Sequence, residues 1–388
     1  MVQRRVQRCA FVGHDEAFNA DSGWCRFEHD DRAAARQSSQ SLPRLAVVRS
    51  KPRCSFLIPT WNAEATVAAA LESCLAQTFD AHELVVVDDG SVDRTAEVVR
   101  AYGARDGRVR LVERAHHGIA ATLEAGRARC RAPLIARMDA DDVAQPQRLE
   151  RQIVCLAEDP RLAVVDARVE FFRERGEVPQ GMRLYAAWVN AVIEPDEFRR
   201  AWPAESPVVH PAATMRSCAL EDVGGYRDGD FPEDYDLWLR LDRAGWRFRK
   251  VPEVLVRMRD REARLTRTSP RYRPAAFREL ARAWLWSEIL ECGPRVVLWG
   301  AGQGGRPWLR WLRAVQRTPV AVVDIDPRKI GGHKGGDVPV VAPAALPTLE
   351  VDVCLVAVQA RGAAAEIRAD LARLRPDWRE GRDWWMVR

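Results

Sequence analysis

The sequence predicts an α/β protein: an open, mostly parallel sheet flanked by helices, followed by a smaller α/β unit of the same kind. Three observations predict it. From Cys54 onward, short apolar runs alternate with segments of helical spacing. The apolar runs end in polar clusters. Near Pro294 a second alternation starts around a glycine-rich turn. Strands alternating with helices call for a parallel sheet, because a parallel crossover needs a connection long enough to hold a helix.

The first run, "CSFLIPT", reads as a strand, and "EATVAAALESCLAQ" as a helix. "HELVVVDDGS" is a second strand with a polar end, and "DRTAEVVRAYGA" a helix that Asp93 can cap. "RVRLVER", "GIAATLEAGRARC" and "PLIARMDADD" continue as strand, helix and strand. Beyond residue 160 the pattern becomes mixed. "LAVVDARVEFF" is strand-like, while "MRLYAAWVNAVI" and "PDEFRRAWP" are helical. "PEDYDLWLRLDRAG" is amphipathic: Leu237, Trp238 and Leu241 share a face, Glu233 and Asp234 occupy the first turn, and Gly245 stops it. A helix from about Pro274 to Cys292 leads to "PRVVLWGAGQGGRPWLRWLRAV", then the strands "VAVVDID" and "VDVCLVAV". The expected division is an N-terminal extension at 1–52, read as poorly ordered or as an overcalled start, a main domain at 53–265, a helical linker at 266–293, and a second domain at 294–388.

Bulk properties narrow the function. At 388 residues the chain exceeds one ordinary core. It is 47% hydrophobic and 30% charged, and a net charge of +5 over that length does not suggest a nucleic-acid partner. The nine cysteines show no CxxC spacing, so they read as reduced thiols of a cytoplasmic protein rather than a zinc site. No run approaches the ~18 apolar residues of a membrane span. The Trp-bearing basic helix near Trp284 reads as a bridge packed in the core. Peripheral contact with the inner membrane face is the alternative.

In open parallel sheets, ligands bind beyond the carboxyl ends of the strands. Those ends carry Pro59–Thr60–Trp61–Asn62, then Asp88–Asp89–Gly90–Ser91, then Asp139–Ala140–Asp141–Asp142. Three carboxylates in four residues after an apolar run have two readings. One is a cation held between them; the other is an acidic helix start.

"FLIPTWNAEATVAAALESCLAQTFDAHELVVVDDGSVDRT", then "ARMDADD", then "FPEDYDLWLRL" resemble, in that order, the family-2 glycosyltransferases. The resemblance covers about Arg53 to Met258. It implies the GT-A nucleotide-sugar fold and transfer of a sugar from a nucleoside diphosphate to a glycan or lipid-linked acceptor hydroxyl, with inversion. It also implies polysaccharide or cell-envelope glycan synthesis. Asp139 and Asp141 match the family's DXD motif, which implies a Mg2+ or Mn2+ site. Asp141 is the expected direct ligand, Asp139 a contact to metal or ribose beside Ala140, and Asp142 a capping residue. Asp234 matches the family's catalytic base, with Glu233 orienting or tuning it. Pro59, Thr60, Asn62 and Glu64, with Asp88, Asp89 and Ser91, correspond to the loops around base and ribose. Asp89 is a candidate acceptor for a pyrimidine imide. His210 is a candidate metal or diphosphate ligand, or a packed histidine; His117 and Gly118 lie at a turn near the expected donor. The chain departs from the family at Glu124, where members usually carry Asn.

The second unit holds Gly300, Gly302 and Gly305 in G-x-G-x-x-G spacing between strand and helix, with Asp324 ending the next strand. It resembles the small Rossmann-like domains appended to sugar-modifying enzymes. A nucleotide or NAD(P) is its expected ligand if it binds one. An alternative function follows: a nucleotide-linked enzyme or sensor of sugar metabolism working through this unit. A hydride-transfer constellation such as Tyr-x-x-x-Lys is absent from it.

Overall fold

The computed structural model describes residues 51–388 except 263, 359 and 361. The expectations for the N-terminal extension lie outside the described residues. Residues 52–388 form one compact unit holding two sheets.

The larger sheet has eight strands: β1 (Cys54–Thr60), β2 (His82–Asp88), β3 (Val109–Glu113), β4 (Leu134–Arg137), β5 (Val143–Ala144), β6 (Leu162–Phe172), β7 (Thr214–Arg216) and β8 (Arg247–Arg259). Their spatial order is β3-β2-β1-β4-β7-β6-β8-β5. The first four run parallel, as the alternation predicted. β7 is antiparallel to both β4 and β6, and β5 is antiparallel to β8, so the sheet is mixed. β1 and β2 are buried along their whole lengths, which is why they read as unbroken apolar runs.

The smaller sheet comprises β9 (Val296–Trp299), β10 (Ala321–Val323), β11 (His333–Lys334), β12 (Val338–Val341), β13 (Val353–Val356) and β14 (Trp384–Met386). Its order is β11-β12-β10-β9-β13-β14, with only β11 antiparallel. Gly305 opens the helix Gly305–Ala314, and a Cβ there would collide with the Gly300 carbonyl. Helix and strand can approach this closely only with glycine.

The helix Pro274–Leu285 continues as a π-helical turn, Trp286–Leu290. Trp284 and Leu285 are buried, and the Trp284 indole donates to Asp242 of helix Glu233–Arg243 at 2.8 Å. The apolar residues of this helix therefore face the protein interior. One apolar cluster runs from Leu57 and Leu123 through Trp202, Trp238 and Trp284 to Leu298, Trp308 and Val387. Among the described residues, no helix is long and apolar enough to cross a membrane.

Candidate active site

Strand ends build the site. The β1–β2 pairing sets Thr60 beside Asp88, and the two loops beyond are stitched together. Asn62 donates through its backbone to Ser91 Oγ at 2.9 Å, and its side-chain oxygen accepts from Val92 N at 2.9 Å. Glu64 N donates to Asp93 Oδ2 at 3.1 Å, and Glu64 accepts from Arg94 N at 3.0 Å. Asp88 accepts from Thr60 Oγ1, Ser91 N and Ser91 Oγ, so it shapes the loop. The N-cap of helix Thr95–Arg105 is Arg94 and not Asp93, which sits one residue earlier and accepts from the backbone N–H and hydroxyl of Thr95.

Asp89 is buried. It accepts from His117 N at 3.1 Å and Gly118 N at 2.8 Å, and lies 2.9 Å from His116 Nδ1 and 3.5 Å from Arg114 Nε. Its carboxylate thus fixes the 116–118 turn, and a base imide would have to share it. Gly90, at φ +74°, meets that turn so closely that a Cβ would lie 2.8 Å from His116 N. His116 stacks on Trp61, with ring centroids 4.6 Å apart. Trp61 is 56% exposed, so this pair is an open aromatic platform between the two loops. Trp61 stood within the polar strand-end cluster, and its aromaticity there was the available signal. Pro59 is buried in β1, and the His117 side chain is exposed.

At the end of β4, Asp139, Asp141 and Asp142 each offer a carboxylate oxygen within 4.8 Å of the others. A fully buried arginine holds this end in place. The Arg148 guanidinium donates to the carbonyls of Arg137 and Ala213 and to Gln152. Pairing of β5 with β8 clamps the other side, and Arg259 N donates to Asp142 Oδ1 at 2.8 Å. Asp139 sits 2.6 Å from Arg137 Nη1, and Asp141 2.9 Å from Arg261 Nη2. Asp142 Oδ2 is buried and has no hydrogen-bond partner among the described residues. Burial, then the charge of Asp139, raises the carboxyl of Asp141; burial, then Asp139 and Asp141, raises that of Asp142 further. An all-oxygen cluster that repels itself, with one buried oxygen unpaired, fits a hard divalent cation. Ala140 is buried between the acids.

The same cleft, about 430 Å³ in volume, is lined by Glu233 and Asp234 from the first turn of helix Glu233–Arg243. Burial, then the charge of Glu233, pushes Asp234 up from 3.8 to about 7. Glu233 is buried, and burial raises it too. Its oxygens accept from Tyr272 Oη at 3.0 and 2.8 Å, with Arg271 Nη1 at 3.4 Å. Arg261, Arg264, Arg267, Arg271 and Tyr272 arrive on the segment after β8, which carried no sequence signal of its own.

His210 also lines the cleft but is not part of the carboxylate cluster. Its Nε2 lies 2.8 Å from the Tyr226 hydroxyl, its ring packs edge-on against Trp238, and burial holds it neutral, well below the ordinary histidine range. Glu124 accepts from Tyr226 N at 3.0 Å and pairs with Arg127 at 2.6 Å. The acid at this position therefore supports the turn that carries Tyr226.

In the smaller sheet, Gly300, Gly302 and Asp324 line a separate cavity of about 360 Å³ at the ends of β9, β10 and β13. Asp324 accepts from Ala301 N at 2.8 Å and Asp326 N at 2.9 Å, and pairs with Lys329 at 3.2 Å. Burial opposes ionisation, but those donors hold its carboxyl below the usual range. The Ala301 amide of the glycine turn is already committed to Asp324, and Asp326, Glu366 and Asp370 share the lining with Lys329. An acidic mouth of this kind does not favour the diphosphate of NAD(P).

Residues 55–224 match the family model described as Glycosyl transferase family 2. The putative glycosyltransferase EpsE of Bacillus subtilis is 31% identical over 218 residues, 55% of this chain and 75% of that protein. The amylovoran biosynthesis glycosyltransferase AmsE of Erwinia amylovora is 30% identical over 208 residues, 53% of this chain and 75% of that protein. Among solved structures, S. aureus TarS 1–349 in complex with UDP-GlcNAc superposes with a TM-score of 0.47 at 19% identity, covering 61% of this chain and 68% of that one.

Proposed function

The chain belongs to glycosyl transferase family 2 and is a glycosyltransferase, and from that premise we propose that it transfers a sugar from a nucleoside-diphosphate donor to an acceptor hydroxyl with inversion. The observation that carries this reading is a single cleft holding two unlike acidic groups: a triad suited to a cation, and a carboxyl titrating near neutrality. Inversion by direct displacement needs a base for the incoming hydroxyl and a separate means of stabilising the departing diphosphate.

Asp139 and Asp141 hold Mg2+ or Mn2+, with Asp142 supporting them from its buried position. When bound, the ion supplies Lewis-acid stabilisation of the leaving diphosphate. Asp234 takes the acceptor proton at its carboxylate. Glu233, fixed by Tyr272 and Arg271, stands beside Asp234, and its negative charge when ionised raises the basicity of that carboxylate. The 59–64 and 88–93 loops, with the Trp61–His116 platform, hold base and ribose. The names of the two relatives, one of them an amylovoran biosynthesis enzyme, favour polysaccharide assembly.

Calorimetric titration of UDP, GDP, CDP and dTDP, with and without Mn2+, tests the reading. One nucleotide is expected to bind only with metal, and Asp141→Asn to lose it. Binding that ignores both metal and Asp141 would remove the cation from the reading.

A further inference from the structure

A second cavity, about 380 Å³, opens beside the reaction cleft, and Glu205, Tyr272 and Phe277 line both. Tyr272 stands at the partition, because its hydroxyl bonds Glu233, the neighbour of Asp234. None of Asp139, Asp141 or Asp142 lines this second cavity. Whatever fills it continues from the base side of the reaction, away from the carboxylate triad. That is the acceptor's side.

The chemistry of the walls specifies the occupant. Tyr272 and Phe277, both partly exposed, supply aromatic surface of the kind against which the C–H faces of sugar rings pack, with the buried Tyr235 behind Phe277. Arg278 is partly buried, and its side chain makes no hydrogen bond or ion pair among the described residues. The other guanidinium on the wall, Arg388, is tied to Glu205. A guanidinium without an ion-pair partner is available to a ligand, and its planar fork suits a carboxylate or phosphate. Arg278 and Phe277 belong to helix Pro274–Leu285, beyond the residues matched by the family model.

We propose that this cavity is an acceptor subsite for an anionic saccharide. The reacting sugar lies in the cleft against Asp234, and the next unit lies in the second cavity with its carboxylate or phosphate on Arg278. Arg278 is thus a specificity residue that touches substrate away from the reacting atoms. The assignment of the acceptor side rests on Asp234 as the base.

The test titrates three probes into the full chain: methyl glucoside, glucuronic acid and glucose 1-phosphate. Ligand-detected NMR reads binding to wild type, Arg278→Ala, Arg278→Lys and Asp234→Asn. At least one charged probe is expected to bind about tenfold tighter than the neutral glucoside. Arg278→Ala removes that preference and leaves glucoside binding unchanged, while Arg278→Lys retains part of it. Whether the carboxylate or the phosphate is favoured distinguishes a uronic acid from a glycosyl phosphate. Three outcomes overturn the proposal: equal binding of charged and neutral probes, no binding of either charged probe, or a preference that survives Arg278→Ala and so belongs to the cleft arginines. Turnover of Asp234→Asn is measured separately. Full activity there would remove the base assignment without altering what the Arg278 titrations report.

Discussion

Replacing Glu233 with glutamine isolates one charge at the candidate base. Asp234 stands at about 7, against an ordinary 3.8, a rise of roughly 3 pH units. Burial is the largest cause and the Glu233 charge the second. Burial is the larger of these two raising causes, and one neighbouring like charge at such range is worth about 1 pH unit. The substituted amide keeps an oxygen for the Tyr272 hydroxyl, so the local geometry survives. The sign is fixed: removing a neighbouring negative charge favours the ionised form of Asp234 and lowers its pKa. In wild type the rate falls as pH drops through about 7, because the base becomes protonated. In Glu233→Gln that acid limb moves to about 6, and the variant's relative activity at about pH 6 rises about fivefold. The assay is kcat/KM for nucleotide release between about pH 5 and 9, on enzyme whose melting temperature is unchanged. An acid limb that stays in place or moves upward would refute the coupling. A limb that persists in Asp234→Asn would show that another group titrates.

Asp234→Asn is expected to lower kcat by about 10²–10⁴-fold while the affinity for nucleotide plus Mn2+ is preserved, as read by calorimetry. Trp61→Ala removes the exposed platform and should weaken nucleotide binding by about 1–3 kcal/mol with little change in melting temperature. Lys250→Met leaves Asp166 uncompensated where both side chains are fully buried and 3.0 Å apart; denaturant unfolding should show a loss of about 3–5 kcal/mol. Stability without metal should decline as pH rises from about 4 to about 7, because the raised carboxyl of Asp234, with those of Asp141 and Asp142, favours folding while protonated and loses that contribution on ionising. Mn2+ should restore melting temperature at about pH 8 in wild type but not in Asp141→Asn.

The parallel half of the larger sheet was legible because β1 and β2 are buried along their whole lengths and strand ends carry "DDGS" and "DADD". β8 was not. "RFRKVPEVLVRMR" interrupts its apolar residues with Arg, Lys and Pro252, and its pairing with β6 needs register shifts that no local pattern displays. The base helix was readable from its amphipathic spacing and first-turn acids. The partners of those acids were not: Arg271 and Tyr272 reach Glu233 across 38 and 39 residues of chain. A metal role for His210 was conceivable from residue type alone. Its tie to Tyr226, and through that turn to Glu124, is a tertiary fact. The committed amide of the glycine turn likewise depends on how β10 meets β9.

The continuous apolar cluster joining β1 to Val387 bears on how such a chain can be inherited. Residues 55–224 are what the family model matches, yet they do not contain their own complete interior. Trp202 and Trp238 belong to the same cluster as Trp284, Leu298 and Trp308. A chain cut after β8 would expose that tryptophan-rich seam to water, and aggregation would be its ordinary fate. The unit that recombination can move between genes is then longer than the unit that sequence comparison recognises. A transferase of this type would have to gain or lose its second sheet together with the helix beneath it.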